Sequence, residues 1–328
     1  MIVTRTPVRI SFLGGGTDYP EHFLKHGGQT LGVSIDKYSY VSVKRMQPLF
    51  DYSIRVGYSR SETVQDREQI EHPSVRECLK FLDLKGPLEI HYIGDLPART
   101  GLGSSSSFTV GLLHALHVLK GDPVTRRQLA EEAVHVEREM IRENVGVQDQ
   151  YTCALGGLQH LRFHAGGRIE ATPVSLPAGR LEELSSSLML VYTGIVRHAH
   201  AVLEEQLEKT RRGDVNQDLG ALGRLVDQGL DVLDSGEPIG RFGDLLHEAW
   251  ETKRRLSSKI TNPAIDDLYV RARAAGARGG KLLGAGGGGF LLLFVPPEHR
   301  TEVRRALSGA PEVPFRFDRT GSRVELPA

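Results

Sequence analysis

Hydrophobic and polar positions alternate loosely from Pro7 to Leu13, and the run stops at Gly14-Gly15-Gly16. Such alternation ending in glycines predicts a strand followed by a turn. Thr30–Ile35 and Tyr38–Lys44 are rich in β-branched and aromatic residues and predict two further strands, with Asp36-Lys37 as the turn between them. Arg55–Tyr58 and Leu88–Ile93 read as strands in the same way. His72–Leu82 reads as a helix, opened by Pro73 and stopped by Gly86-Pro87. Phe108–Lys120 is apolar nearly all round and closes on Gly121, the pattern of a helix buried on every side. Thr125–Arg142 predicts a second helix with Thr125 as its N-cap, and Leu155–Val174 predicts antiparallel strands turning at Gly156-Gly157 and Gly166-Gly167.

Ser175–Ser187, rich in Pro, Gly and Ser, is the linker candidate. Beyond it Leu188–Tyr192 predicts a strand, and His198–Thr210, Val215–Leu233 and Ile239–Ser257 predict amphipathic helices, with a shorter one at Asp266–Ala275. A strand, a glycine run and a second strand fill Lys281–Val295, followed by a helix at Glu298–Leu307 and a terminal strand. Strands and helices mix in both halves, so the fold class is α+β in two lobes, dividing into residues 1–187 and 188–328.

Composition narrows the function. The 328 residues carry 41 Lys plus Arg against 41 Asp plus Glu, with no basic stripe, which argues against nucleic acid as partner. No apolar run approaches the roughly 18 residues of a membrane span. Cys78 and Cys153 stand alone, without zinc spacing, and read as small buried residues; the cytoplasm is the expected compartment.

Three glycine-rich stretches carry the candidate chemistry. Pro97-Ala98-Arg99-Thr100-Gly101-Leu102-Gly103-Ser104-Ser105-Ser106-Ser107 runs straight into the buried helix. Small residues let a phosphate approach the backbone, and the free amides and positive end of the helix dipole hold an anion there. No GxxxxGK[ST] occurs, and the HRD and DFG signatures of protein kinases are missing, so a phosphate loop here belongs to neither class. Gly284–Gly289 formally matches GxGxxG, but Phe290–Val295 behind it reads as a strand where a dinucleotide fold needs a helix. A glycine bend with something pressed against bare backbone, or a plain tight hairpin, fits that context. In the third stretch, after the strand that carries Arg9, Asp18 follows Gly14–Thr17; it reads as a sugar-hydroxyl acceptor or as an ordinary turn residue. Two more carboxylates are notable. Glu137 lies inside the apolar stripe of Thr125–Arg142, where a carboxylate needs a partner such as a metal ion or an arginine, and Asp149 sits in an irregular, Gly-preceded segment.

Together PVRISFLGGGTDY, PARTGLGSSSS and KLLGAGGGGF resemble, in order, the three motifs of the GHMP kinases, a resemblance covering about residues 5 to 295. It implies an N-terminal lobe like ribosomal protein S5 domain 2, a ferredoxin-like C-terminal lobe, and transfer of a phosphoryl group from ATP with Mg²⁺. By position, Pro97, Gly101, Leu102, Gly103, Ser104, Ser105, Ser106 and Ser107 would bind nucleotide, and Ser105 and Glu137 the metal. Asp149 would be the catalytic carboxylate paired with Arg9, and Gly15, Gly16, Thr17, Asp18, Gly286, Gly287 and Gly288 would meet the substrate. Gly14-Gly15-Gly16 replaces the acidic residue and histidine of galactokinases. With YSRSE, EHPSVRECL, YTGIVR and FDRTGSRV it looks most like the D-glycero-D-manno-heptose 7-phosphate kinase branch; fucokinase-type domains share the glycine-rich form. The alternatives are a galactokinase or fucokinase-type sugar 1-kinase and a non-catalytic sugar sensor. The acceptor is then a sugar or sugar phosphate, with Arg197 one candidate for holding its phosphate.

Overall fold

A computed structural model describes residues 1–98, 100–195 and 199–326, with the backbone alone at 199–201. β1 (Ile2–Leu13) alternates in burial only at its start and is buried on both faces from Thr6 onward. Its alternation is loose because helices cover both sides of the sheet there. Beside it runs β2 (Gly28–Arg45), a single strand of 18 residues. The turn expected at Asp36-Lys37 is therefore a bulge. Pairing passes from Pro7 opposite Tyr38 to Val8 opposite Ile35, leaving these two residues out of register. Their polar groups find partners there: the Asp36 amide donates to the Arg316 carbonyl at 2.9 Å, and the Arg316 amide donates to Asp36 Oδ1 at 2.8 Å.

The length of β2 organises the first sheet. Its first half pairs with β6 (Leu158–Phe163) and its second with β5 (Leu88–Gly94). β3 (Ile54–Gly57) and β4 (Ser61–Val64) extend one edge, and β7 (Ile169–Pro173) lies against β6. α1 (Pro20–His26) and α2 (Pro73–Phe81) flank this lobe. α3 (Ser104–Lys120) lies on β1 and β2 and is covered by α2, α4 (Arg126–His135) and α5 (Gln148–Leu155), which explains its all-round apolar sequence. Thr125 Oγ1 accepts the Gln128 amide at 3.1 Å, as an N-cap should. The predicted Thr125–Arg142 helix does not run through: after α4 the chain makes one π turn, Val136–Met140, and Arg142 leaves it at φ +65°. The expected linker contains α6 (Ala178–Ser186).

β8 (Leu188–Tyr192) opens the second sheet, followed by α7 (Ala199–Arg212), α8 (Asn216–Asp234), α9 (Gly240–Lys253) and α10 (Pro263–Ala274). β9 (Gly279–Leu282), β10 (Phe290–Phe294) and α11 (Arg300–Ala306) complete it. The strand order is β8-β10-β9, and Pro311–Val313 lies along β8, giving a ferredoxin-like βαββαβ arrangement. β11 (Arg323–Leu326) then crosses back to pair with β1, so the terminal strand lies in the first sheet although it follows the 187/188 division. One apolar core joins the lobes: Val8, Ile10 and Phe12 of β1 pack with Leu222, Phe242 and Leu292. Among the described residues no helix is long and apolar enough to cross a membrane.

Candidate functional site

The seam between the lobes gathers the three glycine-rich stretches at the start of α3. Gly103 takes a left-handed conformation at φ +73° as the residue before the helix, and the first turn bond runs from the Ser107 amide to the Gly103 carbonyl at 2.9 Å. The amides of the preceding serines thus lie outside the helix's own ladder, at its positive end. Nothing but glycine fits Gly101, whose φ is +88° and where a Cβ would sit 2.5 Å from the Leu283 carbonyl oxygen. The phosphate-type loop and the third motif touch through bare backbone.

The loop's side chains divide by direction. Ser105 is exposed. Ser106 donates to Glu137 Oε2 at 2.8 Å, whereas Ser107 donates to the Thr6 carbonyl at 2.9 Å and Leu102 is fully buried. Leu102 and Ser107 therefore face the core, and since the Ser107 amide is already bonded to Gly103, the amides left for an anion are those of Ser104, Ser105 and Ser106. Pro97 is exposed and its carbonyl accepts from Thr100 Oγ1 at 2.9 Å, closing the turn that leads into the loop. Arg99 and Arg197 lie outside the described residues.

Arg9 and Asp149 meet beside this loop. Arg9 Nε donates to Asp149 Oδ1 at 2.8 Å and Nη2 to Oδ2 at 2.7 Å, a bidentate fork, while Nη1 donates to the Gly101 carbonyl at 2.8 Å. A Cβ on Gly103 would lie 3.2 Å from Asp149 Oδ2, so the carboxylate stands against the loop backbone. Burial opposes the Arg9 charge, but Asp149's charge and hydrogen bonds outweigh it and hold the guanidinium above its ordinary pKa. Asp149 belongs to the first turn of α5, not to the irregular segment its Gly-preceded context suggests. The helix aims it at the loop.

The π turn places Glu137. A π turn inserts one residue into the helical register, and here the carboxylate is 1% exposed. Gln150 Nε2 donates to Glu137 Oε2 at 2.5 Å beside the Ser106 bond. Glu137 Oε1 and Gln150 Oε1 are both buried and have no partner among the described residues. Burial pushes the Glu137 carboxyl up to about 7. Two orphaned oxygens next to a phosphate-type loop fit a hard cation. Among the described residues no three His, Cys, Asp or Glu side chains cluster as a complete metal cage. A magnesium ion needs none, since it keeps waters and phosphate oxygens as most of its ligands. The serine that hydrogen-bonds Glu137 is Ser106, the neighbour of the expected ligand Ser105. Gln150 was missed. Its only sequence signal is its place one residue after Asp149 in GVQDQ.

Asp18 is 1% exposed, accepts the Gly16 amide at 3.0 Å, and packs so closely on Gly146 that a side chain there would overlap its Oδ2. Burial raises its pKa. Thr17 bonds the Gly14 and Gln29 carbonyls at 2.8 and 2.9 Å, which locks the turn, and Gly16 faces Leu219, Gln206 and Leu256 of the other lobe. Gly286, Gly287 and Gly288 are pressed by the chain's own backbone: the Gly287 amide donates to the Ile260 carbonyl at 2.7 Å, and a Cβ on Gly288 would be 2.5 Å from the Ile195 carbonyl oxygen. These contacts seat the glycine run against Ile260, Ile195 and Thr100, next to the phosphate-type loop.

Comparison with known proteins points to one family. The model of the GHMP kinases N terminal domain matches residues 73–157, and that of the GHMP kinases C terminal domain matches 235–312. The chain is 27% identical over 317 residues to D-glycero-alpha-D-manno-heptose 7-phosphate kinase of Campylobacter jejuni, covering 93% of each. It is 28% identical to L-fucokinase/L-fucose-1-P guanylyltransferase of Bacteroides fragilis, covering 95% of this chain and 37% of that one. A crystal structure described as a D-glycero-D-manno-heptose 1-phosphate kinase from Bacteroides thetaiotaomicron superposes with a TM-score of 0.77 over 99% of this chain and 98% of that one, at 24% identity.

Proposed function

The chain belongs to the GHMP kinases and is an ATP-dependent phosphotransferase acting on a hydroxyl acceptor, and from that membership we propose that the acceptor is a sugar phosphate, D-glycero-D-manno-heptose 7-phosphate, phosphorylated at its anomeric hydroxyl. The observation that carries the catalytic reading is the Arg9–Asp149 fork held against the backbone of Gly101 and Gly103. The acceptor assignment rests on the similarity to the heptose 7-phosphate kinase over nearly the whole chain.

In this reading the amides at the start of α3 hold the triphosphate, and Gly101 and Gly103 let the loop seat closely against Leu283 and Asp149. Glu137 and Gln150 would present their free oxygens to Mg²⁺, with Ser105 of the same loop a further candidate ligand. Bound there, Mg²⁺ supplies neutralisation of phosphate charge. Asp149 aligns the acceptor hydroxyl and takes its proton at one carboxylate oxygen. Arg9 fixes the orientation of that carboxylate through its fork and offsets charge on the moving phosphoryl group. Phosphoryl transfer has a loose transition state, so positioning and charge neutralisation supply most of the acceleration. A consumer of ATP works where ATP is made, and we assign the protein to the cytoplasm.

An ATP-consumption assay with D-glycero-D-manno-heptose 7-phosphate, L-fucose and D-galactose tests the acceptor. The heptose phosphate should give the highest kcat/KM by about tenfold or more, the factor expected from one well-placed polar contact. A preference for fucose would establish the second reading, which the similarity to the fucokinase protein supports; equal rates on all three would refute both.

A further inference from the structure

Lys281, on β9 of the second sheet, is 3% exposed and reaches across the seam to donate to the Phe12 carbonyl at 2.9 Å. An ammonium carries three donors. Among the described residues this is the one hydrogen bond of the Lys281 ammonium. Burial and the charge of Arg9 pull it down to about 7, against an opposing pull from Asp18. A single carbonyl contact between lobes is poor return for desolvating a cation, since an apolar side chain of similar length would pack there at lower cost.

What surrounds it supplies the reason. A Cβ built on Gly15 would lie 3.3 Å from Ser11 Oγ, 3.7 Å from Gln148 Nε2 and 4.0 Å from Lys281 Nζ. Three polar groups from β1, α5 and β9 thus ring one point of bare backbone. Ser11 is 5% exposed, and its Oγ has no partner among the described residues. Gly15 is not among the glycines with positive φ, so its lack of a side chain is a matter of room and not of backbone strain. Groups of both signs lie nearby, Arg9 and Lys281 as well as Asp18, so no strong positive field is built here, which suits a neutral hydroxyl better than a second phosphate.

We propose that Ser11, Gln148 and Lys281 form a cradle over Gly15 that grips a sugar hydroxyl other than the one attacked, and so determines which acceptor is accepted. Gln148 precedes Asp149 on the first turn of α5, so the helix that aims the catalytic carboxylate also aims one wall of the cradle. Any phosphate on the acceptor is then held elsewhere. The inference rests on the reading of the chain as a sugar kinase.

Lys281→Met and Gly15→Ala test it, with acceptor binding measured by calorimetry without nucleotide and with KM for acceptor and ATP measured separately. Losing one charged hydrogen bond should weaken acceptor binding and raise acceptor KM by about 10- to 100-fold, with ATP KM unchanged. Gly15→Ala, which fills the cradle, should move the same two quantities in the same direction. In a series of monodeoxy acceptors, one missing hydroxyl should cost wild type that factor and Lys281→Met much less, since the contact is already gone. Acceptor KM within about twofold of wild type in both folded variants, or unaltered discrimination against every monodeoxy sugar, would overturn the cradle. Should Lys281→Met not fold, Gly15→Ala decides alone. A wild-type protein that binds no sugar by calorimetry would instead sink the acceptor reading itself, a result distinct from variants that bind as well as wild type.

Discussion

At the scale of single residues, Glu137 shows how burial turns into a measurable property. Its carboxyl is pushed up to about 7 because water is excluded and the Thr109, Ser106 and Gln150 side chains compensate only in part. A cation bound at its free oxygen must displace the proton, so Mg²⁺ binding should strengthen as pH rises from 6 to 8, by up to about tenfold per unit below the pKa. The linked effect on stability has the opposite direction: the metal-free fold favours the protonated form, so this group's stabilisation is full below the ordinary carboxyl pKa and is lost as pH rises through about 7. Glu137→Gln should weaken Mg²⁺ roughly 10- to 100-fold and flatten the pH dependence, as calorimetry at pH 6 and 8 would show. A wild-type affinity independent of pH would remove the carboxylate from the metal site. The oddity of Glu137 was visible in the chain, because a charge inside an apolar stripe breaks the helical pattern. Gln150 and Lys281 were not visible. A neutral amide and a lysine in a strand break no pattern, and only their burial marks them, with Gln150 Oε1 unpaired among the described residues and Lys281 held by a single carbonyl.

Among elements, the start of α3 was the most legible, since serines running into an apolar helix have few other uses. Local pattern failed where tertiary pairing overrode it. Asp36-Lys37 has turn composition, yet the strands on either side keep the same partner, β1, and the chain goes straight on through a bulge. The π turn at Val136–Met140 was equally hidden, because inserting one residue leaves the sequence helical in character. The contact between the loop and the third motif belongs to this scale as well. Gly101→Ala forces a side chain into a left-handed position, about 1–2 kcal/mol of backbone strain before the clash with the Leu283 carbonyl is counted. Urea unfolding should show at least that loss together with weaker nucleotide binding. Thr125→Ala, which removes a cap far from the loop, should cost about 1 kcal/mol of stability and leave nucleotide binding intact. If both variants affect nucleotide equally, the effect at Gly101 is global softening and not loss of the cradle.

For the whole molecule, the sequence divides into two halves, but the structure does not let them act apart. The last strand returns to the first sheet and a common core crosses the seam, so the lobes form one scaffold with the site at their junction. No local pattern predicts this, since β11 and β1 are more than 300 residues apart in a chain of 328. The consequence is positional precision: Arg9 from β1, the amides of α3 and Asp149 from α5 converge because α3 and α5 both pack on the sheet that contains β1. The most direct test of that convergence is the turnover of Asp149→Asn with its preferred sugar at saturating Mg-ATP, read beside its affinity for nucleotide. We expect kcat to fall by roughly 10²-fold or more, the scale of a general-base contribution, with nucleotide affinity unchanged. Turnover near that of wild type in this variant would contradict the account.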